Sequence, residues 1–162
     1  MFVLIVPSSC GKQTPKNASK KDVDEQNAES LCHFKKFEVT IPGGWIGSGN
    51  TTKFYYNDAY PAAYLIVGEN VDPEEDIAKN LELFEGTMFY RNKIKFIYET
   101  YENEKVTGTL VNERLERNMY FCGYYLEEPD AYIFGVCESY EDKNYIMELT
   151  DYVYSSIDYS KK

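Results

Sequence analysis

Histidine is almost absent from this chain, with His33 the only one among 162 residues. Catalytic triads that use a histidine base, and metal sites built from several histidines, would both hang on that single side chain. Basic residues are scarce as well, 17 against 27 acidic ones, leaving a net charge of −10. A surface of that sign repels phosphate backbones and anionic lipid heads and offers no basic stripe, so no nucleic acid is expected as a partner. Motifs for phosphate cradles and nucleophile elbows are also missing. Gly47-Ser48-Gly49 lacks the flanking glycines of either and reads as a loop. Proline is sparse at six, whereas tyrosine (16) and phenylalanine (9) are abundant, which favours half-buried sheet positions over a helical bundle. The length suits one domain able to bury roughly two thirds of its unfolded surface without disulfide or metal staples. No cofactor and no metal are expected.

The chain opens on the apolar run MFVLIV and then Pro7-Ser8-Ser9-Cys10. Small residues leading to a cysteine resemble the end of a bacterial lipoprotein signal peptide, which implies a lipidated Cys10 and an extracytoplasmic, membrane-anchored location. Residues 1–10 are read as a truncated remnant of such a signal. Residues 11–31 follow as a disordered tether. Over residues 11–30 only Val23 and two alanines are apolar, and four lysines balance four acids. Such a segment cannot bury enough surface to order itself. The charge of −10 therefore belongs to residues 32–162, the folded domain.

In that domain Phe37, Val39 and Ile41 alternate with polar residues as a half-buried strand, and Pro42-Gly43-Gly44 stops it before Trp45. The phrase FEVTIPGGW resembles the opening strand and turn of the PsbP-like family, named for an extrinsic subunit of photosystem II. That resemblance implies two further strands, a helix, a run of antiparallel strands and a final helix. Residues 53–56 and 62–68 read as the next strands. Asp72 is placed as an N-cap, Pro73 at the first helical position, and Ile77, Leu81, Phe84 and Met88 as one apolar stripe. Ile94, Phe96 and Tyr98 mark a fourth strand ending in a polar turn at 102–105, and residues 110–117 a weaker fifth. Ile146, Leu149, Val153 and Ile157 give a closing helix, with Lys161 and Lys162 at its negative end. The expected fold class is thus α/β of the α+β type. It has an antiparallel sheet of about six strands, a helix after strand three and a C-terminal helix packed on it.

The stretch at 118–140 reads as a β-hairpin across Glu-Glu-Pro-Asp, both strands carrying apolar residues on both faces, as inner strands do. Centring a four-residue loop on Pro129–Asp130 sets Leu126 opposite Ile133 and Cys122 opposite Cys137. The two cysteines are then a candidate disulfide, with two neighbouring free thiols as the alternative. Trp45, Tyr55, Tyr56 and Tyr60 are the candidate ligand surface, a stacking platform for a glycan, a peptide or a partner protein. The acids at 72–76 suit a helix N-terminus better than a calcium loop, and Glu82 with Glu85, or Glu113 with Glu116, read as solvated faces rather than catalytic pairs. The expected function is that of a non-enzymatic cell-envelope lipoprotein, a binding or accessory module. A divalent-cation-binding module and an envelope hydrolase using carboxylates are the alternatives.

Overall fold

The computed structural model describes residues 28–48, 52–57, 60–69, 72–85, 94–113, 116–128 and 130–160. Among the described residues nine strands and two α-helices follow in the order β1 Ser30–His33, β2 Glu38–Ile41, β3 Ile46–Ser48, β4 Thr52–Asn57, β5 Tyr60–Glu69, α1 Pro73–Glu85, β6 Ile94–Glu102, β7 Lys105–Asn112, β8 Arg117–Leu126, β9 Ala131–Cys137 and α2 Lys143–Ser155. Strands β3 to β9 form one seven-stranded antiparallel sheet in the order β3-β4-β5-β9-β8-β7-β6, and β1 and β2 form a separate antiparallel pair. The α+β class, the helix after the early strands and the C-terminal helix on the sheet are as expected. The main sheet has one strand more than expected, and β1 begins inside the segment read as tether.

All seven residues of β9 are buried. Two apolar clusters, one per face of the sheet, explain this. On one face, Leu65 and Val67 of β5, Cys122 and Tyr124 of β8 and Ile133 of β9 meet Ile146, Leu149 and Val153 of α2, with Phe37, Val39 and Ile41 from β2 and the residue before it. On the other face, Ile66, Phe121, Phe134 and Val136 meet Ile77 and Leu81 of α1. Gly135 is the seat of α2. A β-carbon there would come within 2.7 Å of Ile146 Cγ2 and 2.8 Å of Thr150 Cγ2, so only glycine lets the helix lie this close.

The hairpin forms, but its register is displaced by two residues from the expected one. Leu126 pairs with Ala131, Tyr124 with Ile133 and Cys122 with Gly135. The loop still has four residues, Glu127 to Asp130, and Asp130 takes a left-handed conformation (φ 65°), which moves the turn centre one residue back. The β7–β8 loop ends the same way, with Glu116 at φ 53°. A shift of two leaves every side chain on its predicted face, because the strand period is two. It does separate the cysteines. Cys137 sits opposite Tyr120, and diagonal neighbours lie roughly 7–8 Å apart, beyond an unstrained disulfide. Cys122, Cys137 and Cys32 are all buried, and none of the three forms a disulfide.

Two further boundaries differ. Residues 110–117 are the end of β7, a turn and the start of β8, because β7 already begins at Lys105 after a two-residue turn in which Asn103 (φ 50°) and Glu104 (φ 69°) are both left-handed. Helix α2 stops at Ser155. Ile157 packs on the core from the segment beyond it, where Asp158 bridges to Glu38 of β2. Lys161 and Lys162 lie outside the described residues, as do Cys10 and the side chains of Phe84 and Met88.

Candidate functional site

Helix α2 covers β9 and β8 on its face of the sheet, and β7 and β6 run on past its flank. The face of β7 on that side carries Lys105, Thr107 and Thr109, while Val106, Gly108 and Leu110 are buried toward α1. A strip of polar side chains on an inner strand, beside the wall of a helix, leaves an open groove of about 480 Å³. Thr100 of β6, Thr107 of β7, and Tyr120 and Tyr124 of β8 line its floor, Lys143 and Met147 of α2 its wall, and Glu102, Asn103 and Lys105 its end.

Its two cations differ in their partners. Lys105 pairs with Asp151, which also accepts a 2.6 Å hydrogen bond from the Tyr124 hydroxyl, and the Lys105 ammonium lies 5.5 Å from the Tyr124 ring centre. Lys143, the first residue of α2, holds its ammonium 4.6 Å over the Tyr120 ring and 5.0 Å from the Tyr140 ring centre, donating to the Tyr140 hydroxyl at 3.4 Å. Among the described residues no carboxylate lies within ion-pair distance of it. Beneath Lys143 the Tyr120 hydroxyl is buried without a hydrogen bond. The nearby Thr107 hydroxyl is taken up by Thr100 Oγ1 at 2.7 Å. Burial holds the Tyr120 and Tyr124 phenols above the usual tyrosine range; the neighbouring Cys122 adds to this at Tyr120, and the hydrogen bond to Asp151 at Tyr124.

The residues singled out from sequence lie elsewhere. Trp45 is buried and stacked on Tyr145 at 6.5 Å, and Tyr55 is buried in the same cluster. Tyr56, half-buried, packs against the opposite face, and the side chain of Tyr60 lies outside the described residues. Trp45, Tyr55 and Tyr56 therefore make no common stacking platform: alternation along β4 sends neighbouring tyrosines to different cores. Gly47 and Ser48 belong to edge strand β3 rather than to a loop. His33, exposed on β1, pairs with Glu38. Glu113 pairs with Lys95, and Glu116 occupies the turn before β8.

On the α1 face a smaller cleft of about 230 Å³ is lined by Asp72, Glu74, Glu75, Ile94 and Phe96. Its acids have local work. Asp72 Oδ1 accepts from the Glu75 amide at 3.1 Å as the expected cap, Glu74 accepts from the Tyr98 hydroxyl at 2.7 Å, and Asp76 accepts from the Tyr132 hydroxyl. Among the described residues no group of three His, Cys, Asp or Glu side chains is placed to hold a metal ion.

No protein-family model matches the chain, and no curated protein matches it either. The assignment of a site rests on its geometry.

Proposed function

We propose that this chain is a non-enzymatic binding or accessory module of the cell envelope, with a PsbP-like plan of strands and helices, anchored to the membrane through lipid on Cys10, and that its ligand occupies the groove beside α2. The observation that carries the choice of site is the Lys143 ammonium, lying over the Tyr120 ring and donating to the Tyr140 hydroxyl at the mouth of a hydroxyl-lined groove, and paired with no carboxylate among the described residues. A cation fixed in that way is a ready donor for a ligand, since it needs no rearrangement to bind. The volume falls within the range of small-molecule sites.

Thermal unfolding in the presence of a panel of small anions and neutral sugars tests the site. A ligand that binds only the folded state raises Tm by mass action, and Thr107→Phe, which fills the floor of the groove, should abolish the rise. A rise that survives Thr107→Phe contradicts the assignment. The anchor is tested separately: Cys10→Ala should move the expressed protein from the detergent-rich to the aqueous phase on partitioning, and retention in the detergent phase counts against lipidation. Among the described residues no helix is long and apolar enough to cross a membrane.

A further inference from the structure

We propose that the groove takes a sugar acid, with the ligand's carboxylate on the Lys143 ammonium and Tyr120 hydroxyl and its ring hydroxyls on Thr100, Thr107 and Asn103. The inference rests on the groove being the binding site.

Charge selects the carboxylate. Lys105 is already paired with Asp151, so Lys143 is the lining cation that has no carboxylate at ion-pair distance among the described residues, in a chain of net charge −10. One ammonium matches a monoanion. A dianion such as phosphate would keep an unpaired charge beside Glu102 on the rim and in the field of the acidic surface. The Tyr120 hydroxyl adds an independent reason. The residue is only 5% exposed, and its hydroxyl makes no hydrogen bond, a state that costs free energy until a partner arrives. Lys143 lies over that same ring, 4.6 Å from its centre, which sets the groove's cation beside the residue whose phenol is unsatisfied.

The rest of the lining selects the ring. Thr100 and Thr107 form a hydroxyl pair at 2.7 Å, each able to donate and accept, and Asn103 adds an amide with both functions. Such groups complement the alternating donors and acceptors of a polyol, while Met147 offers an apolar contact to the C–H face. A peptide carboxylate is the less suited source. Peptides recognised in extended form pair with free main-chain groups, and the backbone of β7, which runs along the groove, is already laddered on both sides, to β6 through Thr107↔Thr100 and to β8 through Thr107↔Cys122.

Calorimetric titration of the full chain at low ionic strength with glucuronate, glucose and acetate tests this. Glucuronate should bind about tenfold or more tightly than either of the others, since it alone makes both the charged contact and the hydroxyl contacts. Lys143→Gln should lower its affinity to that of glucose, and Lys143→Arg should recover most of it. Tyr120→Phe should weaken glucuronate several-fold while leaving Tm unchanged or higher, because it removes a hydroxyl that the unliganded fold leaves unsatisfied. Glucuronate binding no tighter than glucose, or insensitive to Lys143→Gln in a variant with the wild-type Tm, overturns the inference. Acetate binding as tightly as glucuronate overturns the sugar part while leaving the groove as a carboxylate site. If none of the three binds, the sugar-acid inference falls, and the groove reading is judged separately by the panel and Thr107→Phe.

Discussion

Two clefts flank β6, one on each face of the sheet, and they use charge in opposite ways. On the α1 side, Asp72, Glu74 and Asp76 are committed to the structure: one caps the helix, and the other two bind tyrosine hydroxyls of β6 and β9, fastening α1 to the sheet. On the α2 side, Lys105 is likewise committed, but Lys143 lies over the Tyr120 ring and donates to the Tyr140 hydroxyl, with no opposing carboxylate among the described residues. Abundance of charge therefore does not mark a site in this molecule. The acids of the first cleft hold the structure together, and the groove proposed as the ligand site is the one whose cation, Lys143, meets two tyrosines and no carboxylate among the described residues.

The largest expected effect falls on the core of the α1 face. Phe134 is fully buried on the α1 face, with its ring centre 5.3 Å from that of Phe121 and 5.2 Å from that of Tyr125. Phe134→Ala should cost about 3–5 kcal/mol in urea unfolding. A loss under about 1 kcal/mol would mean that this face is not packed as described. Gly135→Ala acts on the groove side alone, by pushing against Ile146 and Thr150 of α2. It should cost about 1–3 kcal/mol and disturb ligand binding in the groove, and a neutral outcome would contradict the close seating of α2. Asp72→Ala acts on the other cleft alone. Loss of the cap should cost about 1 kcal/mol and leave groove binding intact; a change in ligand affinity would show that the two sides are coupled.

The smallest effect at neutral pH concerns buried acids. Burial, with some help from Asp142, pushes the Cys137 thiol from its usual 9.0 up to about 12. Burial likewise pushes the Tyr125 phenol from 10.0 up to about 12. An acid whose pKa is higher folded than unfolded contributes stability that is complete below the unfolded value and is lost as pH rises through the folded one. Urea midpoints should therefore be insensitive to these two groups below about pH 9 and fall between about pH 9 and 12, less steeply in Cys137→Ala. A Cys137→Ala profile as steep as the parent's would place that thiol outside the core.

Much of the fold was legible in sequence because it rests on periodicity. The alternation Phe37-Val39-Ile41, the cap at Asp72 and the stripe Ile146-Leu149-Val153 each report one element and its buried face, and each is found there. The hairpin shows the limit. Its faces follow from a period of two, but its register depended on which loop residue turns left-handed, and Asp130 did so where a Pro129–Asp130 centre had been expected. The candidate site was legible least. Trp45 and Tyr55 draw attention as aromatics, and the fold spends them on the core. Lys143, Tyr120 and Thr107 come from three elements that touch only after α2 docks, and no spacing along the chain links them. The one local sign is the strip Lys105-Thr107-Thr109, polar on one side of a strand whose other side is buried.

The contrast between the clefts is tested most directly by backbone amide shift mapping during a titration with glucuronate. The account predicts saturable shifts at Thr100, Lys105, Thr107 and Lys143, abolished in Lys143→Gln, with the amides from Asp72 to Ala78 unmoved. Shifts centred on Asp72 to Ala78, or shifts around the groove that persist in Lys143→Gln, would contradict it.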